Sequence, residues 1–409
     1  MANPNADILI PADEPPGLLP FPFPRPGLLQ LAPELGELRE STPIVRVRTP
    51  AGNPAWLVTR HEDVKTLFAD QRLGRSHHDP ENAPRYSAAA ILGGPMGEFE
   101  TEIEDHALAR KLLTPSFSAR RMRMLRGRIQ QIIDELLDRL AGLGQPADFH
   151  DAVSFRLPVL VICELLGVPY ADRERFRQWA RLAFDMTDVD ASMQAVLELR
   201  EYIQHLIDRK KAEPAADLIS DLVLAQREDG VPDDRRIRQY VATLVIAGHE
   251  TTVTFIDFGT LLLLEYPLER AKLDADLELV PRAVEEILRF APTTDACITR
   301  YARTDFSVLG VDIAKGEAVA FSPQAANRDP RVFPDPERFD VTRAENPHMT
   351  FTFGWHYCLG SPLVRVELDV LYRTLFRRLP GLRLAAGLDE LLPRTDVLTG
   401  GITALPVRW

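Results

Sequence analysis

The stretch FTFGWHYCLGSP, Phe351 to Pro362, sets a single cysteine between two glycines. Gly354 precedes Cys358 by four residues and Gly360 follows it by two. Both glycines are expected to let the backbone turn tightly around the cysteine. A helix begins a few residues later, and its free N–H groups favour a thiolate. No further Cys or His stands nearby at zinc spacing, which disfavours a structural zinc site. One thiolate held in a fixed loop suits a different metal role, the axial bond to haem iron.

Other stretches also combine reactive groups. VIAGHETT, Val245 to Thr252, places Gly, Glu and two Thr inside an apolar helix. One reading is a kinked helix whose Thr hydroxyls bond back to carbonyls. The other is an acid beside an alcohol, a combination that can deliver protons. In EEILRF, Glu286 and Arg289 stand at i and i+3, the spacing of a helical ion pair. In DHALARKLL, His106 and Arg110 stand at i and i+4. Cys163, inside VLVICELL, reads as a buried structural thiol, and Cys297 lies near a strand start with nothing to activate it.

The elements that carry these residues follow from pattern. Residues 1–30 are Pro-rich and read as an extended arm. Residues 43–60 predict a hairpin around a Gly-Asn-Pro turn, and His61–Phe68 a short helix. Residues 71–100 have no period and predict a long loop, the kind that often carries function. From about 104 to 290 the pattern is helical, with helices near 171–183, 191–211, 233–265 and 280–290. Residues 297–321 predict short strands, 322–350 a Pro-rich loop region, 360–378 a helix, and the tail a strand and turn. The outline is a large helical body with a smaller β part, one interwoven domain over residues 1–409.

Composition narrows the function classes. The chain has 409 residues, 45% hydrophobic and 26% charged, enough for a large core. Three cysteines make a disulfide framework improbable and fit a reducing compartment. No stretch approaches a membrane span, and the first residues lack a signal-peptide pattern, so a cytoplasmic protein is expected. The net charge of −12 argues against nucleic-acid binding. The run from Ala107 to Ile133 nevertheless holds Arg110, Lys111, Arg120, Arg121, Arg123, Arg126 and Arg128 and no acid. It reads either as a solvated helix face or as a docking patch for an acidic partner.

Taken together, these motifs resemble the cytochrome P450 family. Phe351, Gly354, Cys358 and Gly360 match its F-x-x-G-x-x-x-C-x-G signature, and His356 looks like the common bacterial form. Ala247, Gly248, Glu250 and Thr251 are similar to its A/G-G-x-D/E-T segment, and Glu286 and Arg289 to its E-x-x-R. The resemblance implies a triangular helical body with haem b (iron protoporphyrin IX) held between the long central helix and the loop 351–360. It implies that Cys358 ligates the iron and that Phe351 tunes the sulfur. Thr251 would bond the iron-bound oxygen, Glu250 would relay protons, and Gly248 would let the helix open locally. Arg338, in PERF, would complete the Glu286–Arg289 structural network. His106, Arg110, Arg300 and His348 would surround the haem propionates, and His356 would belong with Phe351, Gly354 and Gly360 to the cofactor-binding loop. The family's bacterial members often carry Pro-Pro-Glu-His before the first of these, where this chain has IEDH.

The implied reaction is insertion of one oxygen atom from O₂ into a lipophilic small molecule by hydroxylation or epoxidation. Electrons would come from a ferredoxin and its reductase, docking on the basic face Arg110–Arg128 of a monomer. Substrate contacts implied by the family map to the loop 76–100 (Ile91, Leu92, Met96), to Leu244 and Ala247, and to Thr293 and Thr294, with Arg85 a possible anion contact. The Pro-rich start and Ala/Arg/Leu-heavy composition resemble actinomycete tailoring enzymes acting on polyketides, macrolides or other secondary metabolites. Two alternatives stand beside this reading: oxidative coupling or rearrangement on the same haem, and a haem-based binding or sensor protein.

Overall fold

The computed structural model describes residues 18–409 except 88, 90–92, 183–187, 230, 294–295 and 396. The expected hairpin forms from β2 (Ile44–Arg48) and β3 (Pro54–Val58), antiparallel with Ile44 opposite Val58. They sit in a six-stranded sheet of order β1–β2–β3–β9–β6–β4, where β1 is Leu19–Pro20, β4 Leu73–Gly74, β6 Ile298–Ala302 and β9 Ala318–Phe321. Val47, Leu57 and Val58 are fully buried on this sheet. Helix α2 (His61–Ala69) follows the hairpin directly.

The helical body is built on amphipathic segments. Helix α4 (Ala119–Ala141) buries Ile129, Ile132, Ile133, Leu136, Leu137 and Leu140, the i, i+3, i+4 stripe of a core-facing helix. Each such side chain contributes about 1.5–3 kcal/mol relative to exposure. Ser118 caps it, its hydroxyl accepting from the Arg121 N–H at 3.4 Å. It packs on α14 (Ser361–Arg378), the helix after the Cys358 loop. Helix α3 (Glu102–Leu113) carries His106 and Arg110, and α12 (Val280–Phe290) carries Glu286 and Arg289. A three-stranded sheet, β10 (Arg383–Leu384), β11 (Pro406–Arg408) and β5 (Ala147–Asp148), closes the far side.

One predicted element is divided. The helix expected over 233–265 is two helices, α9 (Asp234–Gly248) and α10 (Glu250–Glu265), broken at His249 with φ −86° and ψ −81°. Three hydroxyls bond carbonyls around the break: Thr251 to Ala247 at 2.7 Å, Thr252 to Gly248 at 2.9 Å and Thr254 to Glu250 at 2.9 Å. The buried His249 bonds the Phe155 carbonyl through Nε2 at 3.0 Å. Among the described residues, no helix is long and apolar enough to cross a membrane.

Candidate active site

Cys358 sits at the mouth of α14, in a loop closed by its own N–H on the Phe351 carbonyl at 2.9 Å. Gly354 adopts φ +72°, and a β-carbon there would stand 2.8 Å from Ala69 Cα, so glycine is required twice over. Gly360 differs from expectation: its φ is −77°, and it serves as the residue before α14 rather than as a left-handed turn. Thr352, at φ +62°, donates its hydroxyl to the His356 carbonyl at 2.9 Å. Burial pushes the Cys358 thiol up, while the Gly360 and Ser361 N–H groups and the charges of Arg75 and Arg110 oppose it. Coordination to a metal cation reverses that balance, because a coordinating thiol loses its proton.

Beside the loop lies a cluster of arginines and histidines. Arg110 donates to the Tyr357 carbonyl at 2.9 Å, next to the cysteine. The His106 and His356 rings are 4.4 Å apart. Arg300 is buried, and that burial, with Arg75 adding repulsion, pulls its guanidinium down to about 9. Burial is also the main reason that His356 falls to about 4, with Arg300, Arg75 and His106 contributing and Glu102 opposing. Sequence reasoning missed Arg75 and Glu102. Glu102 accepts from the Arg75 N–H at 2.6 Å, the Ser76 N–H at 3.1 Å and Arg303 at 2.9 Å. Burial would raise its carboxyl, but the His356 ring, the Arg75 N–H and the Ser76 hydroxyl and N–H outweigh it and hold it at about 2. Its Oε1 lies 3.5 Å from His356 Nε2, without hydrogen-bond geometry.

The one carboxylate of the cluster is thus already saturated, and the surrounding cations exceed it. That surplus fits a ligand bearing two carboxylates. Among the described residues, no group of three His, Cys, Asp or Glu could hold a bare metal ion. One thiol beside that surplus fits a metal that arrives in its own macrocycle and takes one thiolate from the chain. His348 does not join the cluster: its Nε2 lies 3.1 Å from Glu285, which Arg365 also pairs at 2.6 Å.

Glu250 opens α10, where the helix dipole favours a carboxylate. It is fully buried. Its Oε2 accepts from Arg394 at 3.0 Å, and its Oε1 has no hydrogen-bond partner. Thr251, the next residue, is half-buried and keeps its oxygen lone pairs available beyond the bond it donates to Ala247.

Glu286 and Arg289 are buried together, with Nη2 to Oε1 at 2.7 Å and Nε to Oε2 at 2.8 Å. The third member is Arg343, whose Nε reaches Glu286 at 3.1 Å, and not Arg338. Arg338 turns its exposed guanidinium to 3.9 Å from Asp340 and contributes only a carbonyl, which accepts from Arg289 at 3.2 Å. Arg289 also bonds the Asn327 carbonyl at 2.9 Å, and Asn327 Oδ1 accepts from the Met349 N–H at 2.7 Å, leading to the Cys358 loop.

Of the expected substrate contacts, Ile91, Leu92 and Thr294 lie outside the described residues. Met96 is half-buried, with its N–H on the Arg75 carbonyl at 2.8 Å. Leu244 is partly buried on α9, Ala247 is exposed in its last turn, and the Thr293 carbonyl accepts from the Gly401 N–H at 3.1 Å. Arg85 is committed to its own loop, bonding the Ala89 carbonyl at 2.8 Å. The basic run is similarly divided. Arg121 bonds the Ala216 carbonyl, Arg126 pairs with Asp369, and Arg128 pairs with Glu164 at 2.8 Å. Arg120 and Arg123 are exposed and have no ion-pair partner among the described residues.

A family model described as Cytochrome P450 matches residues 176–380. The chain is 43% identical over 396 residues to pentalenolactone synthase of Streptomyces exfoliatus, covering 95% of this chain and 98% of that protein. It is 41% identical over 393 residues to mycinamicin IV hydroxylase/epoxidase of Micromonospora griseorubida, with 95% and 98% covered. Two solved structures align at TM-score 0.89 over 96% of this chain and all of theirs. One, at 35% identity, is the putative thioether synthase SgvP of griseoviridin tailoring. The other, at 38% identity, is a point mutant of the mixed-function P450 MycG bound to mycinamicin IV.

Proposed function

The chain belongs to the cytochrome P450 family, and from that premise we propose that Cys358 would supply the thiolate that holds its haem and that Glu250 and Thr251 would manage the protons of its reaction. The protein is a monooxygenase with haem b as cofactor. Haem b, when bound, supplies an iron that binds O₂ and accepts two electrons in turn. The balanced reaction takes O₂, two electrons, two protons and a substrate C–H bond, and gives one C–OH and one water. Addition of the same oxygen atom across C=C gives an epoxide.

Each role rests on the chain's own groups. Arg110, Arg300, His106 and His356, with Arg75 added, would hold the propionates. Phe351 would cover the sulfur. Thr251 would present its oxygen as an acceptor, and Glu250 would carry protons to it. The Glu286–Arg289–Arg343 cluster would fix the meander beneath the loop. The single observation that carries this reading is one half-buried thiol at a helix mouth beside a surplus of arginines, Arg75 and Arg110 half-buried and Arg300 buried. The test is the reduced, carbon-monoxide difference spectrum of the protein and of Cys358→Ser. A strongly red-shifted Soret band in the first, lost in the second, supports it; an unchanged band in the variant would refute it.

We infer a lipophilic secondary metabolite as substrate, polyketide- or macrolide-like. The names of the pentalenolactone and mycinamicin relatives and the mostly apolar set Met96, Leu244, Ala247 and Thr293 support this. A second reading, oxidative coupling without oxygen insertion, is favoured by the similarity to a thioether synthase; incorporation of labelled O₂ into product separates the two. Electrons are inferred to come from a ferredoxin and its reductase to a cytoplasmic monomer. On the basic face, Lys111, Arg120 and Arg123 are exposed and have no ion-pair partner among the described residues, which suits an acidic partner.

A further inference from the structure

We propose that Arg394 is a positioning residue for proton delivery by Glu250. The inference rests on the proton-handling role given to Glu250 above. A buried carboxylate without a counter-charge takes up a proton and stops serving as an ionised relay. Here the counter-charge comes from far along the chain. Arg394 Nη1 donates to Glu250 Oε2 at 3.0 Å, and its side chain is 13% exposed against 0% for Glu250. The pair therefore steps from the interior towards solvent. Because Oε2 is taken, Oε1, buried and unpartnered, is the oxygen left to accept from a water.

The geometry around Arg394 makes this more than a chance contact. Its backbone N–H bonds the Gly401 carbonyl at 2.9 Å, and Pro393 bridges to Ile402, so the arginine rides on a closed hairpin. The Gly401 N–H in turn bonds the Thr293 carbonyl at 3.1 Å. Gly401 adopts φ +107°, and a β-carbon there would stand 3.4 Å from Thr254 Oγ1, whose hydroxyl bonds the Glu250 carbonyl. One hairpin thus fixes the counter-ion of Glu250, braces its backbone and contacts a candidate substrate residue. The other titratable or charged groups near Glu250 are His249 at the helix break, Arg177 on α6 (Arg173–Leu182) facing that histidine, and the His150–Asp257 pair two turns along α10.

The test uses the holoenzyme with Arg394→Gln, Arg394→Lys, Glu250→Gln and the double variant Glu250→Gln/Arg394→Gln. Infrared spectroscopy reads the carboxylic-acid C=O stretch between about pH 6 and 8. NADPH oxidation driven by a plant-type [2Fe–2S] ferredoxin and its reductase is followed in H₂O and D₂O. Beyond the acid band of the fully buried Glu367, present in every variant, Arg394→Gln is expected to show an additional buried-acid band that is absent from the parent and from the double variant. It should slow oxidation about tenfold and raise the D₂O effect about twofold, while Arg394→Lys stays within about threefold of the parent and shows no additional band. An Arg394→Gln protein with no additional acid band and a parental isotope effect would overturn the inference. If Glu250→Gln is slow while Arg394→Gln is not, only the inference fails. If Glu250→Gln matches the parent, the acid–alcohol reading fails and takes the inference with it.

Discussion

Glu286 and Arg289 form a doubly hydrogen-bonded ion pair with no solvent exposure on either side chain. Glu286 also accepts from the Asp340 N–H at 3.0 Å and from Asn346 at 3.1 Å, so its lone pairs are filled. Removing one partner leaves an uncompensated charge in the core. Arg289→Ala is expected to cost about 3–5 kcal/mol and to abolish haem retention. Arg343→Ala should cost about 1.5–3 kcal/mol, whereas Arg338→Ala should stay within about 0.5 kcal/mol. Chemical-denaturant unfolding of the three variants checks the order; equal losses at 338 and 343 would contradict the assignment.

The two glycines of the cysteine loop should separate under substitution. Gly354→Ala meets both a left-handed φ and the α2 backbone, and is expected to lose about 2 kcal/mol or more. Its red-shifted carbon-monoxide band should shrink as the loop is displaced. Gly360→Ala places a methyl 3.9 Å from the Cys358 sulfur, an ordinary contact, and should leave stability within about 1 kcal/mol. Thermal unfolding and the band amplitude together decide between these outcomes.

Glu285 gives a pH dependence with a defined sign. Burial raises its carboxyl, but hydrogen bonds from His348 and Arg365 and the charge of Arg365 outweigh this and hold it at about 2 against an ordinary 4.5. The stabilisation is therefore fully present above about pH 4.5 and is lost as pH falls towards 2. Lowering the pH from about 6 to 3.5 should cost about 1 kcal/mol through this group. Glu285→Gln should lose that portion of the slope, as read by urea unfolding at both pH values.

Charge reversal at Arg120 and Arg123 should raise the KM for an acidic ferredoxin about fivefold or more at low salt, with the effect shrinking as salt is added. Reversal at Arg128 should instead cost stability, because it sets a second carboxylate against Glu164, leaving Arg173 at 2.6 Å as the one arginine that holds it. Steady-state reduction kinetics at two ionic strengths distinguish a docking role from a structural one.

What was legible in the sequence had a fixed local spacing. The cysteine loop, the i, i+3 pair of α12 and the i, i+4 pair of α3 all announce themselves within one turn or one loop. The residues that escaped come from segments without a period. Arg343 lies in the meander, where the PERF stretch pointed to Arg338 but no periodicity shows which arginine turns inward. Arg75 lies in the loop 71–100, and its neighbour Glu102 is tied to it by tertiary packing alone. The break near His249 was signalled by the Gly, Glu and two Thr of VIAGHETT, and the kinked-helix reading included the hydroxyl back-bonds. The residue at which the helix divides and the bond from His249 to the Phe155 carbonyl are visible only in three dimensions. Arg394 belongs to a hairpin far from Glu250 in sequence, and no short-range rule pairs them.

The contact of Gly354 with Ala69 has an evolutionary reading. Helix α2 belongs to the β-rich part of the chain, yet its last residue abuts the turn that leads to the Cys358 sulfur. A chimera joining the first 75 or so residues of one relative to the remainder of another would recombine across this seam. Such hybrids should keep the cofactor only where the incoming α2 brings the backbone of its last turn to the same place, because Phe68 and Ala69 leave no room for a β-carbon at Gly354. The seam thus acts as a compatibility filter on how members of this family can exchange their N-terminal segments.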